Sequence, residues 1–139
     1  MTHKSDRIAE RVAGWRGGDL DPRYLGYFDC FNRGLYYEAH EVLEDLWLED
    51  RRGPDGDFYK GLIQLAGAFV HWKKGRLLPC GALLQLATRN LERYPKLHHR
   101  LDLEELLQMA RDWTSWVASA GPGAQGRDGE AAPRLGLVE

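Results

Sequence analysis

Gly34 to Trp47 reads GLYYEAHEVLEDLW, and the periodicity of this stretch decides the fold. At about 100° per residue, Ala39, Val42, Leu43, Leu46 and Trp47 share one face, with Tyr36 between them. The spacing predicts a helix over about Tyr36–Leu48, with Gly34 before it and Gly53-Pro54 beyond it as breakers. His40 and Glu44 are one turn apart and stack on one side. They fall between the Trp47 edge and a second apolar pair, Tyr37 and Leu48, an unusual position for charge. Glu38 and Asp45 point away to solvent, and Glu41 sits at the margin.

Outward from this stretch, Asp21-Pro22 opens a first core helix that runs to about Arg33, with Asp at the cap and Pro in the first turn. Gly34 closes it in the left-handed position. Residues 49–57, EDRRGPDGD, read as a solvent loop whose charge is surface charge. The next helix spans about Phe58–Lys74 with Asp57 as its expected cap, and is apolar almost all round, the mark of a central bundle helix. Lys60, Gln64, Gly67 and His71 form its one polar stripe. Gly75 ends it. Pro79 to Tyr94 gives a further helix with Asn90 on its apolar face, between Arg89 and Arg93. Pro95 stops that helix, and Lys96 to Arg100 make a basic corner in which His98 and His99 read as surface residues. Asp102 and Glu105 form a capping box for a last helix that closes at Ala120.

The expected fold is therefore all-α: a compact single-domain bundle of about five helices over residues 19–120. Ile8, Val12 and Trp15 mark residues 1–18 as an arm or short helix. Residues 121–139, rich in Gly, Ala and charge, read as a disordered tail.

Composition excludes several function classes. The 139 residues carry 21 acids against 19 bases, a net charge of -2 that disfavours a broad nucleic-acid footprint; Arg89, Arg93, Lys96 and Arg100 are its only basic cluster. No apolar run is long enough to span a membrane and no leader pattern is visible, which places the protein in the cytoplasm. Cys30 and Cys80 lack a CxxC partner and read as free buried thiols.

Two readings of the polar cluster stay open. In one, His40 and Glu44 are a structural pair within the core. In the other, His40, Glu44 and His71 ligate a divalent metal such as zinc, iron or manganese, or hold a small ligand, with Glu41, Gln64 and Asn90 behind them. HEVLE is HExxE and not HExxH, so the second histidine of a zinc-protease helix is missing. Neither reading commits the chain to catalysis. A further alternative is a helical module for homo-oligomerisation or a protein partner, supported by the many aromatic residues, Trp72, Trp113 and Trp116 among them.

FNRGLYYEAHEVLEDLW followed by FYKGLIQLAGAFVHWKKG resembles the family catalogued as domain of unknown function 309, small helical proteins of bacteria and archaea. The resemblance covers about Tyr24 to Leu91, with two long motifs in order across a short loop. It carries onto Asn32, Gly34, His40, Glu41 and Glu44 in the first motif, and onto Gly61, Gln64 and His71 in the second. It implies a compact helical fold and no established activity.

Overall fold

The computed structural model describes residues 20–120 and 132–138; the arm expected over residues 1–18 lies outside them. Five helices follow in order: α1 (Pro22–Asn32), α2 (Tyr36–Asp50), α3 (Gly56–Lys73), α4 (Leu77–Leu91) and α5 (Leu103–Ser119). A two-stranded antiparallel hairpin, β1 (Leu97–His98) and β2 (Leu101–Asp102), joins α4 to α5. Among the described residues no helix is long and apolar enough to cross a membrane.

Local chemistry sets the helix ends. The Asp21 carboxylate accepts from the Arg23 N–H at 2.8 Å with Pro22 in the first turn. Asp102 accepts from the Glu105 N–H at 3.0 Å. Gly34 and Gly75, at φ +76° and +71°, end α1 and α3 in a conformation that costs glycine little. One expected cap is corrected. Asp55, not Asp57, holds the N-cap position of α3, and Asp57 instead binds Arg93 of the segment after α4 at 2.7 Å.

Each helix packs antiparallel on the next. Arg23 of α1 reaches Asp45 and Glu49 near the end of α2, at 3.1 and 2.7 Å. Tyr36 at the start of α2 meets Phe69 and Trp72 at the end of α3. As its sequence predicts, α3 is central: Tyr27 of α1 donates to its Leu62 carbonyl at 2.6 Å, and Trp113 of α5 packs edge-on to Phe69 and Trp72, both at 5.0 Å. Cys30 and Cys80 are both buried, and burial pushes the Cys80 thiol up to about 11.

Helices α3 and α4 approach each other closely at Gly61. A Cβ at Gly61 would stand 2.7 Å from Leu91 Cγ and 3.3 Å from the Ala87 carbonyl oxygen, so only glycine fits this spacing. Residues 132–138, placed by their composition in a disordered tail, instead lie on the body: Leu135 is buried and Leu137 bridges to Leu101. Gly61→Val is expected to destabilise the fold by about 1–3 kcal/mol through overpacking against Leu91, read as a lowered urea midpoint with unchanged slope.

Candidate metal centre

Because α3 and α4 run antiparallel, the loop before α3 and the turn after α4 meet at one end of the bundle. Asp55 stands in that loop, at the N-cap of α3, yet its carboxylate makes no capping bond. An N-cap side chain ordinarily accepts from the second or third helical N–H. Here the Tyr94 hydroxyl takes the Phe58 N–H at 3.0 Å and donates to the Pro54 carbonyl at 2.7 Å. Tyr94 thus does the capping, and the Asp55 carboxylate is free for other partners.

Those partners are two adjacent histidines. His98 Nε2 lies 2.8 Å from one Asp55 oxygen, and His99 Nε2 lies 2.7 Å from the other. Successive side chains of a regular strand point to opposite faces, so neighbours cannot both reach one carboxylate without a break in the strand. The break is the turn between β1 and β2. His99 and Arg100 both adopt left-handed backbone, at φ +46° and +62°, the two-residue hairpin geometry that usually calls for Asn or Gly. Left-handed backbone at a residue other than glycine costs on the order of 1–3 kcal/mol where the surroundings impose it.

The surroundings do so. The Tyr24 hydroxyl donates to the His99 carbonyl at 2.9 Å. Phe58 packs edge-on to His98 at 4.7 Å and contacts His99 at 5.6 Å, and the Tyr94 ring lies 5.0 Å from His98. Burial raises the Asp55 pKa, but hydrogen bonds from His99 and His98 outweigh it and hold the carboxyl below its ordinary value. Burial also pushes the Tyr59 hydroxyl up to about 12, with the charge of Asp55 adding to the shift.

Two imidazole nitrogens and a carboxylate are a donor set for zinc, iron or manganese. Their ligand atoms all lie within 4.8 Å of one another, and Asp55, His98 and His99 are half-buried, leaving a side open to water. Donors around a tetrahedral zinc stand about 3.3 Å apart, so the two histidine–carboxylate contacts, at 2.8 and 2.7 Å, would each lengthen by roughly 0.5 Å to admit an ion.

The residues picked out by the sequence lie elsewhere. His40 Nε2 stands 3.2 Å from Glu44, the intrahelical pair expected. Gln64 accepts from the Asn90 amide at 2.7 Å, which ties α3 to α4. Glu41, read at the margin, is buried at 6 % exposure. The Nδ1 atoms of His40 and His71 are buried without a protein partner. Among the described residues, the three-ligand group converging within 4.8 Å is Asp55, His98 and His99, and not His40, Glu44 and His71. In the basic corner, Arg93 is paired with Asp57 at 2.7 Å and Lys96 with Glu104 at 3.8 Å.

In the sequence, His98 and His99 read as surface residues and Asp55 as loop charge. They are 43 and 44 residues from Asp55, and no local spacing connects them. The available signal was topological: antiparallel neighbours bring the start of one helix beside the end of the next.

Residues 24–79 match a family model described as a domain of unknown function (DUF309), in agreement with the resemblance of the two motifs. No curated protein and no solved structure matches the chain. Asp55 lies inside the matched segment, and both histidines lie beyond it.

The lowered folded pKa of Asp55 has a definite sign in acid. Its contribution to stability is fully present above the unfolded carboxyl value and is lost as pH falls through the folded value. Urea midpoints measured from pH 5 to about pH 2 should therefore fall more steeply for the wild type than for Asp55→Asn.

Proposed function

We propose that the protein is a divalent-metal-binding helical protein, with Asp55, His98 and His99 as the ligands. The observation that carries this reading is the convergence of two histidine Nε2 atoms on one carboxylate, at 2.8 and 2.7 Å, with that carboxylate released from helix capping by Tyr94.

Zinc titration of chelator-treated protein, followed by calorimetry, tests it. One equivalent should bind. Asp55→Ala and His98→Ala should weaken binding by more than the roughly 10–100-fold that changes outside the ligand set cost, and Tyr94→Phe should fall within that range. Binding that survives Asp55→Ala unchanged would end the reading.

A second reading keeps His40, Glu44 and His71 as the ligand site, with Glu41, Gln64 and Asn90 around it. What supports it is the buried, unpartnered Nδ1 of both His40 and His71. An unprotonated Nδ1 is an acceptor and tolerates this better than a donor would. The same titration on His40→Ala separates the two sites. On the same helix, Tyr37 and Leu48 are 57 % and 51 % exposed, which supports a homo-oligomer or protein partner docking there, in a cytoplasmic setting. Light scattering of the purified chain reads this directly, and a monomer at tens of micromolar counts against self-association.

A further inference from the structure

The segment 132–138 is built like a bound peptide. Pro133 and Leu135 are buried and Leu137 is half-buried, while Arg134, Gly136 and Val138 are exposed, the two-residue alternation of an extended strand. Three attachments hold it. The Asn32 side-chain amide bonds both backbone groups of Leu135, donating to its carbonyl at 2.6 Å and accepting from its N–H at 2.7 Å. A neighbouring strand would offer the same pair of groups. Leu137 bridges antiparallel to Leu101, and the Val138 N–H donates to the Arg100 carbonyl at 2.6 Å.

The last two attachments fall on the hairpin that carries the histidines. Arg100 is the second of its left-handed residues, and His99 is the first. On one side of this turn the Tyr24 hydroxyl grips the His99 carbonyl; on the other the strand grips the Arg100 carbonyl. A strained turn persists only while such contacts over-determine it. Asn32 closes α1, so the strand ties the hairpin to the far end of the helix that also bears Tyr24.

We propose that residues 132–138 are a strand ligand of the site hairpin, supplied by the chain itself, and that their docking keeps His98 and His99 converged on Asp55. This is strand addition to an exposed hairpin edge, with the Asn32 amide standing in for part of a second neighbour. Docked, the strand holds the turn and gives the site its full metal affinity. Undocked, the turn relaxes, and the imidazoles no longer share one carboxylate. The metal part of this statement rests on the function proposed above.

Two full-length variants release the strand without touching a ligand: Asn32→Ala removes the bidentate grip, and Leu135→Asp removes the buried anchor. Zinc affinity is measured by calorimetry. Nitrogen-15 shifts of the His98 and His99 rings are measured in metal-free protein, with helical circular dichroism as the check on folding. Both variants should keep their helicity, bind zinc roughly tenfold more weakly, as for other supporting residues, and show displaced ring resonances for both histidines. Unchanged ring resonances and unchanged zinc affinity would overturn the proposal while leaving the metal site intact. Displaced rings in a protein that takes up no zinc would uphold the strand's control of the hairpin and reject the metal reading alone. Should one variant lose helicity, the other carries the same readouts.

Discussion

The approach of α3 to α4 at Gly61 is the constraint on which the rest depends. With no side chain there, Leu91 and the Ala87 carbonyl come within contact of the α3 backbone, and the pair is locked antiparallel by the Gln64–Asn90 bond further along. That register puts Phe58 beside Tyr94 and Asp57 beside Arg93. It therefore delivers Tyr94 to the first turn of α3, where its hydroxyl replaces the ordinary side-chain cap. The freeing of the Asp55 carboxylate follows from packing two turns away and from no property of Asp55 itself.

The energetics of this end of the molecule are a balance between local strain and specific bonds. Two left-handed residues cost on the order of a few kcal/mol together. Hydrogen bonds to a charged partner contribute about 1.5–3 kcal/mol each, and the hairpin makes two of them to Asp55, besides the Tyr24 and Val138 bonds to its carbonyls. The strain is thus offset by four hydrogen bonds from three separate parts of the chain: the loop before α3, α1 and the 132–138 segment. Such a turn is held by its neighbours, which makes it responsive to any one of them.

Much of the fold was legible in the residues, for identifiable reasons. Helical periodicity around Leu43 and Leu46, the Asp21-Pro22 and Asp102 caps, and Gly34 and Gly75 are local signals that local physics reads directly. The apolar surface on nearly every side of α3 announced its central place. The cap of α3 is ambiguous in the sequence because Asp55 and Asp57 both precede the apolar run, and Tyr94, 36 residues beyond Phe58, makes the bond that separates them. His40 and Glu44 stand out in the sequence because their pairing is local. The Asp55–His98–His99 group depends on chain reversal and on a turn of two residues, neither of which leaves a periodic trace. The alternation of Pro133, Leu135 and Leu137 was present in the tail, but it spans too few residues to stand out against the glycine and charge around it.

The most direct measurement is anomalous diffraction from crystals of the full chain grown with zinc. One ordered ion is expected about 2.0–2.2 Å from His98 Nε2, His99 Nε2 and an Asp55 oxygen, with the Tyr94 hydroxyl still bonded to the Phe58 N–H. Zinc found at His40 and His71, or His98 and His99 still hydrogen-bonded to Asp55 with no ion between them at saturating zinc, would contradict it.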